Sequence, residues 1–435
     1  MEAKTTGGQT LREGSRLNQQ AFREGVALFT ILAILLSIWV QGPIAFTLPE
    51  DLDIKLYDVI LPFLLLIWIF YALSNGVKLN RYFLISLFFI FIFSAWIIFQ
   101  FFRSPQPLRA FTEVIIFLRD LLIFFTVGTL VAELRDLNRL TRWIFYISLG
   151  LSSVAIMLYL FFLPGYVEIL ASPERWYPKI GYWADVGGMI RLGGLIGHPV
   201  RYSCYMILGL FCGMAGQNIP RWLKYFGLFV ICVTLFLTFT RGLLIALPIS
   251  ILILIIFGVS TRALTAYFSP LVVVGVAIFL LSLIPLPLYG QSGLSLMASR
   301  FGRVETDPRL YLWGKTISVI DNPVLGAGLR ASEHALSAEK ERFRWLDNSY
   351  LVLLTDTGFI GLVVFLWIFV PLIVRGLKRT LRDALLPYTH CVITLLLLFF
   401  FYFLIYEPFL WLVSGIAAGA VSHTAHLGTT DRSVD

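Results

Sequence analysis

Read from its amino terminus, the chain alternates long apolar runs with short polar punctuation. Gly25 to Leu48, Tyr57 to Leu73, Tyr82 to Phe102, Trp143 to Leu163 and Ala266 to Leu286 carry almost no charge. Each is close to the ~20 residues that take a helix across ~30 Å of hydrocarbon. None shows the period-two alternation of a barrel strand, so helix is the form in which this backbone satisfies its own polar groups in lipid. Weaker runs at Val114 to Val131, Tyr202 to Ala215, Leu223 to Phe239, Leu243 to Val259, Tyr350 to Val374, Leu386 to Tyr406 and Phe409 to His423 bring the expected spans to about twelve. The predicted fold class is all-α, a polytopic membrane protein with about 12 transmembrane helices and two long extracytoplasmic loops.

Composition excludes a soluble domain: 58% of the 435 residues are hydrophobic and 14% charged, against roughly 25% charged in soluble domains. About 24 mostly polar residues precede the first full-length run, which predicts an anchor rather than a cleaved leader. The formal charge of +8 is spread between spans, with no dense basic tract, so membrane topology explains it better than nucleic acid does. Lys4, Arg12, Arg16 and Arg23, then Lys78 and Arg81, then Arg135, Arg139 and Arg142 mark one side. Arg221, Lys224, Arg262, Arg375, Lys378, Arg379 and Arg382 fall on that same side, which the positive-inside rule makes cytoplasmic. Arg103 and Arg109 run against the trend. The expected organisation is a cytoplasmic tail (1–24), five spans (25–163), an extracytoplasmic loop (164–201), four spans (202–286), a large extracytoplasmic loop (287–347), three spans (348–423) and a cytoplasmic tail (424–435). Cys204, Cys212, Cys232 and Cys391 all lie in apolar runs without metal-ligand spacing and are expected to be buried small hydrophobes.

Long loops that keep Trp, Tyr, Gly and charged residues are where chemistry is expected, since scaffold connections are short. Within the second, Pro308 to Ile320 predicts an amphipathic helix with Leu310, Trp313, Ile317 and Ile320 on one face, ended by Asn322-Pro323. Arginines at a span edge cost a few kcal/mol on insertion scales, which makes them functional candidates. Arg191 opens Arg191-Leu192-Gly193-Gly194, Arg241 interrupts an apolar stretch in Thr240-Arg241-Gly242, and Arg309 begins the loop helix. Snorkelling or solvation would explain each alone; together they suit an anion, because planar guanidinium groups grip phosphate oxygens in pairs. Arg119 beside Asp120 is expected to be a structural intramembrane pair. Asp347, where the large loop meets the tenth span, suits a general base or a helix cap. Asp356 is expected about two and a half turns deeper, paired within the bundle. Gly326-Ala327-Gly328-Leu329-Arg330-Ala331 imitates a dinucleotide fingerprint but lacks a preceding strand. Gly209 and Gly213 suit a helix-packing face, and His423 and His426 have no carboxylate partner that would suggest a metal.

From Arg191 to Leu362 these motifs, in this order and sidedness, resemble the O-antigen ligase and polymerase superfamily of lipid-linked glycan transferases. The resemblance rests on Arg191-x-x-Gly194, Thr240-Arg241-Gly242, Arg309-x-x-x-Trp313, Asn322-Pro323-Val324-Leu325-Gly326-Ala327-Gly328, Asn348-Ser349-Tyr350-Leu351 and Thr357-Gly358-Phe359-Ile360-Gly361. It implies an undecaprenyl-diphosphate-linked glycan as donor, and an acceptor glycan or lipid, in the bacterial inner membrane. Arg191, Arg241 and Arg309 would hold the diphosphate while a base activates an acceptor hydroxyl, with no cofactor and no metal. Membrane lipids are implied as surroundings, and a chain-length regulator or flippase as possible partners in the envelope.

Ligases of that family place His directly before the motif's Asn, whereas this chain has Asp347. The difference favours a polymerase, or a related ligase acting on another acceptor, over a ligase acting on lipid A-core, with His334 a second candidate base. A transporter would concentrate ionisable groups at midplane in broken helices; here Arg119, Asp120 and Asp356 are the main ones. A noncatalytic envelope partner would leave the arginines unexplained. The topology predicts that a cysteine placed at position 340 is labelled from the extracytoplasmic side by an impermeant thiol reagent, and labelling only from the cytoplasm would overturn the arrangement.

Overall fold

The computed structural model describes residues 6–39, 46–48, 52–54, 68, 81–161, 191–196, 198–257, 261–283, 292, 295, 308–318, 320, 322–335, 347–377, 382–402, 404–405 and 407–430. Among the described residues helix predominates, with one small hairpin. Helices α1 (Thr6–Trp39), α2 (Arg81–Phe102), α3 (Pro107–Ala132), α4 (Leu137–Phe161), α5 (Pro199–Ala215), α6 (Arg221–Leu237), α7 (Arg241–Ile256) and α8 (Thr261–Ser282) come first. Then follow α9 (Pro308–Ser318), α10 (Ala331–Ala335), α11 (Ser349–Leu377), α12 (Arg382–Leu398) and α13 (Pro408–Thr430). Five segments within these helices are long and apolar enough to cross a membrane: Gln20–Trp39, Arg81–Phe102, Pro107–Ala132, Leu137–Leu160 and Ser349–Leu377. Further apolar helices are shorter, among them Arg241–Ile256 and Pro408–Ser422. The second expected run, 57–73, lies outside the described residues except for Trp68, whose indole donates to Thr129 Oγ1 at 2.6 Å. Most of the two long loops also lies outside them.

The first apolar run does not continue to Leu48. Helix α1 ends at Trp39, and β1 (Phe46–Leu48) pairs antiparallel with β2 (Leu52–Ile54), Phe46 opposite Ile54 and Leu48 opposite Leu52. Alternating Phe46-Thr47-Leu48 and Leu52-Asp53-Ile54 around Pro49-Glu50-Asp51 is a hairpin pattern. A hydropathy reading merged its first arm with the helix before it.

Aromatic packing joins α2, α3, α11 and α13. Phe93 meets Phe117 and Phe365, and Trp411 meets both Phe117 and Phe365. Helices α3 and α13 run parallel at close range, because Gly415 and Gly419 present bare backbone to Phe124 and Gly128. Gly209 and Gly213 of α5 face Ser148 and Phe145 of α4 in the same manner. Cys204, Cys212 and Cys391 are buried, and Cys232 is partly so.

Helix α11 is broken at Gly358, where φ is 71° and ψ −177°. A straight helix would hold Tyr350 and Phe365 about 22 Å apart. Both rings lie within 6.0 Å of the same Phe399 ring, so the first half, 349–357, folds back across one end of the bundle. This crossbar is almost wholly buried. The break strands backbone groups that lipid cannot satisfy, and the segment before α10 supplies them. Ala327 and Gly328 donate their N–H groups to Thr355 and Asp356 carbonyls at 2.8 and 3.1 Å. Phe359 and Ile360 donate to Pro323 and Val324 carbonyls at 2.8 and 3.3 Å. The glycine-rich stretch is therefore a backbone plug for the break. Gly326 lies so close that a Cβ there would collide with Thr357 and Gly358 backbone.

Alanine at position 358 must adopt a backbone region that is essentially reserved for glycine, at a cost of about 1–3 kcal/mol, and its Cβ meets the Val324 carbonyl. Gly358→Ala is expected to lower the unfolding temperature and detergent-soluble yield, measured by fluorescence-detected size-exclusion after heating. An unchanged melting profile would contradict the break.

Candidate functional site

Two polar clusters occupy the same end of the bundle, one at each end of the crossbar. The first gathers around an unwound segment, 399–407, between α12 and α13. Ser349 N–H donates to the Phe399 carbonyl at 2.8 Å, Ser349 Oγ donates to the Tyr402 carbonyl, and Leu404 N–H donates to Ser349 Oγ. Tyr402 in turn accepts the Gly242 N–H on its hydroxyl at 3.1 Å. At the far end of the segment, Glu407 pairs with Arg201 Nε at 2.6 Å, and Tyr205 hydroxyl lies 3.4 Å from its other oxygen. The amino termini of α5, α7, α11 and α13 thus converge on one stretch of chain. Each carries roughly half a positive charge from its aligned peptide dipoles, which makes their meeting point favourable for an anion.

Arg241 is the first residue of α7, beside Gly242. Arg191 reaches the same turn from the other side: its Nε donates to the Thr238 carbonyl at 2.8 Å, its Nη2 lies 3.4 Å from Thr240 Oγ1, and Leu192 N–H donates to the Leu237 carbonyl. Phe239 between them is buried and sits at φ 47°, a costly left-handed conformation for a bulky residue. Arg191 thereby staples the turn that presents Arg241. The structure brings these two arginines to the same turn.

Asp347 precedes α11 at the near end of the crossbar and is partly exposed. The helix cap belongs to its neighbour: Asn348 Oδ1 accepts the Leu351 N–H at 3.0 Å, the hydrogen bond that an amino-terminal cap makes.

Helix α9 lies over the crossbar, with Leu312 packed among Leu351 and Val352, and Trp313 edge-on to Phe400 at 5.4 Å. Its buried side holds Leu312 and Thr316 with Trp313 partly buried beside them, while Ile317 is exposed, so the packed face is centred on Leu312 and Thr316 and shares only Trp313 with the expected one among the described side chains. The helix ends at Ser318; Asn322 instead closes a turn on Val324 and Leu325 N–H. Position 309 is one helical turn before Leu312 and Trp313. The side chains of Arg309, His423 and His426 lie outside the described residues.

The second cluster surrounds α10. Asp356 accepts the N–H groups of Arg330 and Ser332 at 3.0 and 2.8 Å, so it anchors this loop at the break rather than pairing deeper in the bundle. The depth expected for Asp356 assumed a straight helix. Arg330 pairs with buried Glu113 and with Glu333; Arg109 meets Glu333 at 2.9 Å, and His334 Nδ1 lies 3.4 Å from Gln106 Nε2. His334 therefore sits at the far end of the crossbar, whose nine residues rise about 13 Å, and does not share a reacting atom with Asp347. Further down α3, Arg119 and Asp120 form an adjacent pair, with Nε donating to Oδ1 at 2.9 Å.

Sequence reading missed Arg201, Tyr402 and Glu407. Glu407-Pro408 was the visible signal, a carboxylate inside an apolar run followed by proline, which is favoured at the first position of a helix.

Helices, broken ends and gathered arginines define a multi-pass membrane protein with an anion-suited pole. Residues 226–366, about a third of the chain, match the family model described as O-antigen ligase. Over that stretch the chain is similar to the O-antigen ligase family. Arg241, position 309, His334 and Asp347 lie inside the matched region and Arg191 outside it. No curated protein matches the chain.

Because the cap is on Asn348, Asn348→Ala is expected to cost about 1 kcal/mol and Asn348→Asp almost nothing, both read from thermal unfolding in detergent. Equal stability of the alanine variant would return the capping role to Asp347.

Proposed function

We propose that this protein transfers a glycan from an undecaprenyl-diphosphate-linked donor to an acceptor sugar hydroxyl at the outer face of the inner membrane, as a polymerase of O-antigen or exopolysaccharide. In this reading about twelve helices span the membrane, with both termini cytoplasmic and the two long loops outside. The observation that carries it is the convergence of four helix amino termini and Arg241 on the segment 399–407. Such a pole suits a diphosphate, whose charge rises when it leaves. Arg241 grips the diphosphate oxygens, Arg191 holds the turn and adds positive charge, and Arg309 closes from α9. Asp347 takes the proton of the acceptor hydroxyl. The freed oxygen attacks the anomeric carbon, and the bond from that carbon to the diphosphate oxygen breaks with its electron pair going to the carrier. Preorganised donors that meet developing negative charge lower such a barrier without a metal.

The acid before Asn348, where ligases carry His, supports polymerisation over transfer to lipid A-core. In a deletion strain, single repeat units accumulating on the carrier are expected; long chains retained on the carrier would instead indicate a ligase. Transport is the reading of another class, and unchanged glycan linkage with altered export would favour it.

Two substitutions test the chemistry on a defined lipid-linked substrate. Arg241→Ala is expected to abolish transfer with folded yield preserved, and Arg241→Lys to restore part of it, since the ammonium lacks the bidentate geometry. Asp347→Asn is expected to keep the fold and lower turnover by ~10²–10⁴-fold; near-normal turnover would remove Asp347 as the base.

A further inference from the structure

Arg201 stands in the first turn of α5, a position that helix electrostatics disfavours for a cation because the amino end is already positive. Three other helix amino termini lie around the same segment, which adds to the cost. An arginine there is stabilised by a nearby anion, and Glu407 supplies one at 2.6 Å. The two members of this pair are unequally placed. Glu407 is sunk, with 9% of its side chain exposed, and precedes α13, where peptide N–H groups and the Tyr205 hydroxyl at 3.4 Å favour a carboxylate. Arg201 keeps 31% of its side chain exposed, enough to reach a ligand at the pole. The ion pair with Glu407 is made through Nε, which fixes the plane of the guanidinium. Glu407 is also five residues beyond Tyr402, whose hydroxyl holds Gly242 next to Arg241. Arg201 and Arg241 therefore flank the same unwound segment.

We infer that Arg201 is a further donor-contacting residue, oriented by Glu407 through its Nε edge so that its guanidinium meets a diphosphate oxygen alongside Arg241. This rests on the diphosphate reading above. Glu407 is a positioning residue, and the pair does more than tie α5 to α13.

The test measures binding of undecaprenyl diphosphate, undecaprenyl monophosphate and undecaprenol to the purified full-length protein in detergent. Arg201→Gln alone leaves Glu407 buried without its cation and endangers the fold, so Glu407→Gln is the background and Arg201→Gln is added to it. Both variants then lack the buried charge. The double variant is expected to bind undecaprenyl diphosphate about tenfold more weakly than Glu407→Gln, the worth of one charge-assisted hydrogen bond, and to lose part of its preference for diphosphate over monophosphate. A purely structural tie would shift both ligands equally or neither, and either result overturns the inference. Loss of binding in Arg241→Ala with no difference between the two Glu407 variants would remove Arg201 alone. Wild-type protein that binds undecaprenyl diphosphate no better than undecaprenol would remove the diphosphate reading itself.

Discussion

The arrangement depends on one constraint: a backbone N–H or carbonyl without water must find a partner inside the protein. Helix α11 violates regularity at Gly358, and its stranded groups are met by the peptide units of 323–328. That exchange of hydrogen bonds turns the helix across the bundle, docks the loop before α10, and sets Asn348 and Ser349 against the segment 399–407. At the second irregularity, between α12 and α13, Ser349 plays that part, meeting the Phe399 and Tyr402 carbonyls and the Leu404 N–H. Irregular backbone thus occurs where other chain covers it, and those are the places where helix ends and polar side chains collect.

The two clusters divide the labour that the crossbar joins. At one end stand Arg191, Arg201 and Arg241 with Asp347, the side chains to which the proposed transfer assigns the donor and the proton. At the other, Glu113, Arg330 and Glu333 are tied to each other and, through Asp356, to the break. The buried Glu113–Arg330 pair holds a fold in place, and removing one partner of such a pair typically costs ~3–5 kcal/mol.

Much of the helical architecture is legible in the sequence because lipid imposes a coarse rule on composition and length. Tyr82 to Phe102 and Tyr202 to Ala215 coincide with helices to within a few residues. The breaks are not legible in this manner, since hydropathy averages over them: Tyr350 to Val374 reads as one apolar stretch although Thr355-Asp356-Thr357-Gly358 interrupts it. The arginine candidates were visible as charges where charge is costly. Their surroundings were not, because the Thr238 carbonyl that holds Arg191 and the Tyr402 hydroxyl that holds Gly242 beside Arg241 acquire meaning from contacts across the fold that no local pattern encodes. The glycine-rich 326–328 stretch shows the converse, a recognisable pattern whose use here is close packing against Gly358.

The fold-back at Gly358 also settles a problem of length. A straight passage from Ser349 to Leu377 would rise about 43 Å, well beyond the ~30 Å of a bilayer's hydrocarbon core. Turning the first nine residues aside leaves 359–377, about 28 Å of helix, a near match in thickness that avoids tilt or thinning of the bilayer. The plug that permits this is encoded just ahead of the helix, so during synthesis it emerges before the segment whose break it must fill. Loop and helix are therefore complementary halves of one packing unit, joined by the hydrogen bonds that cross Gly358.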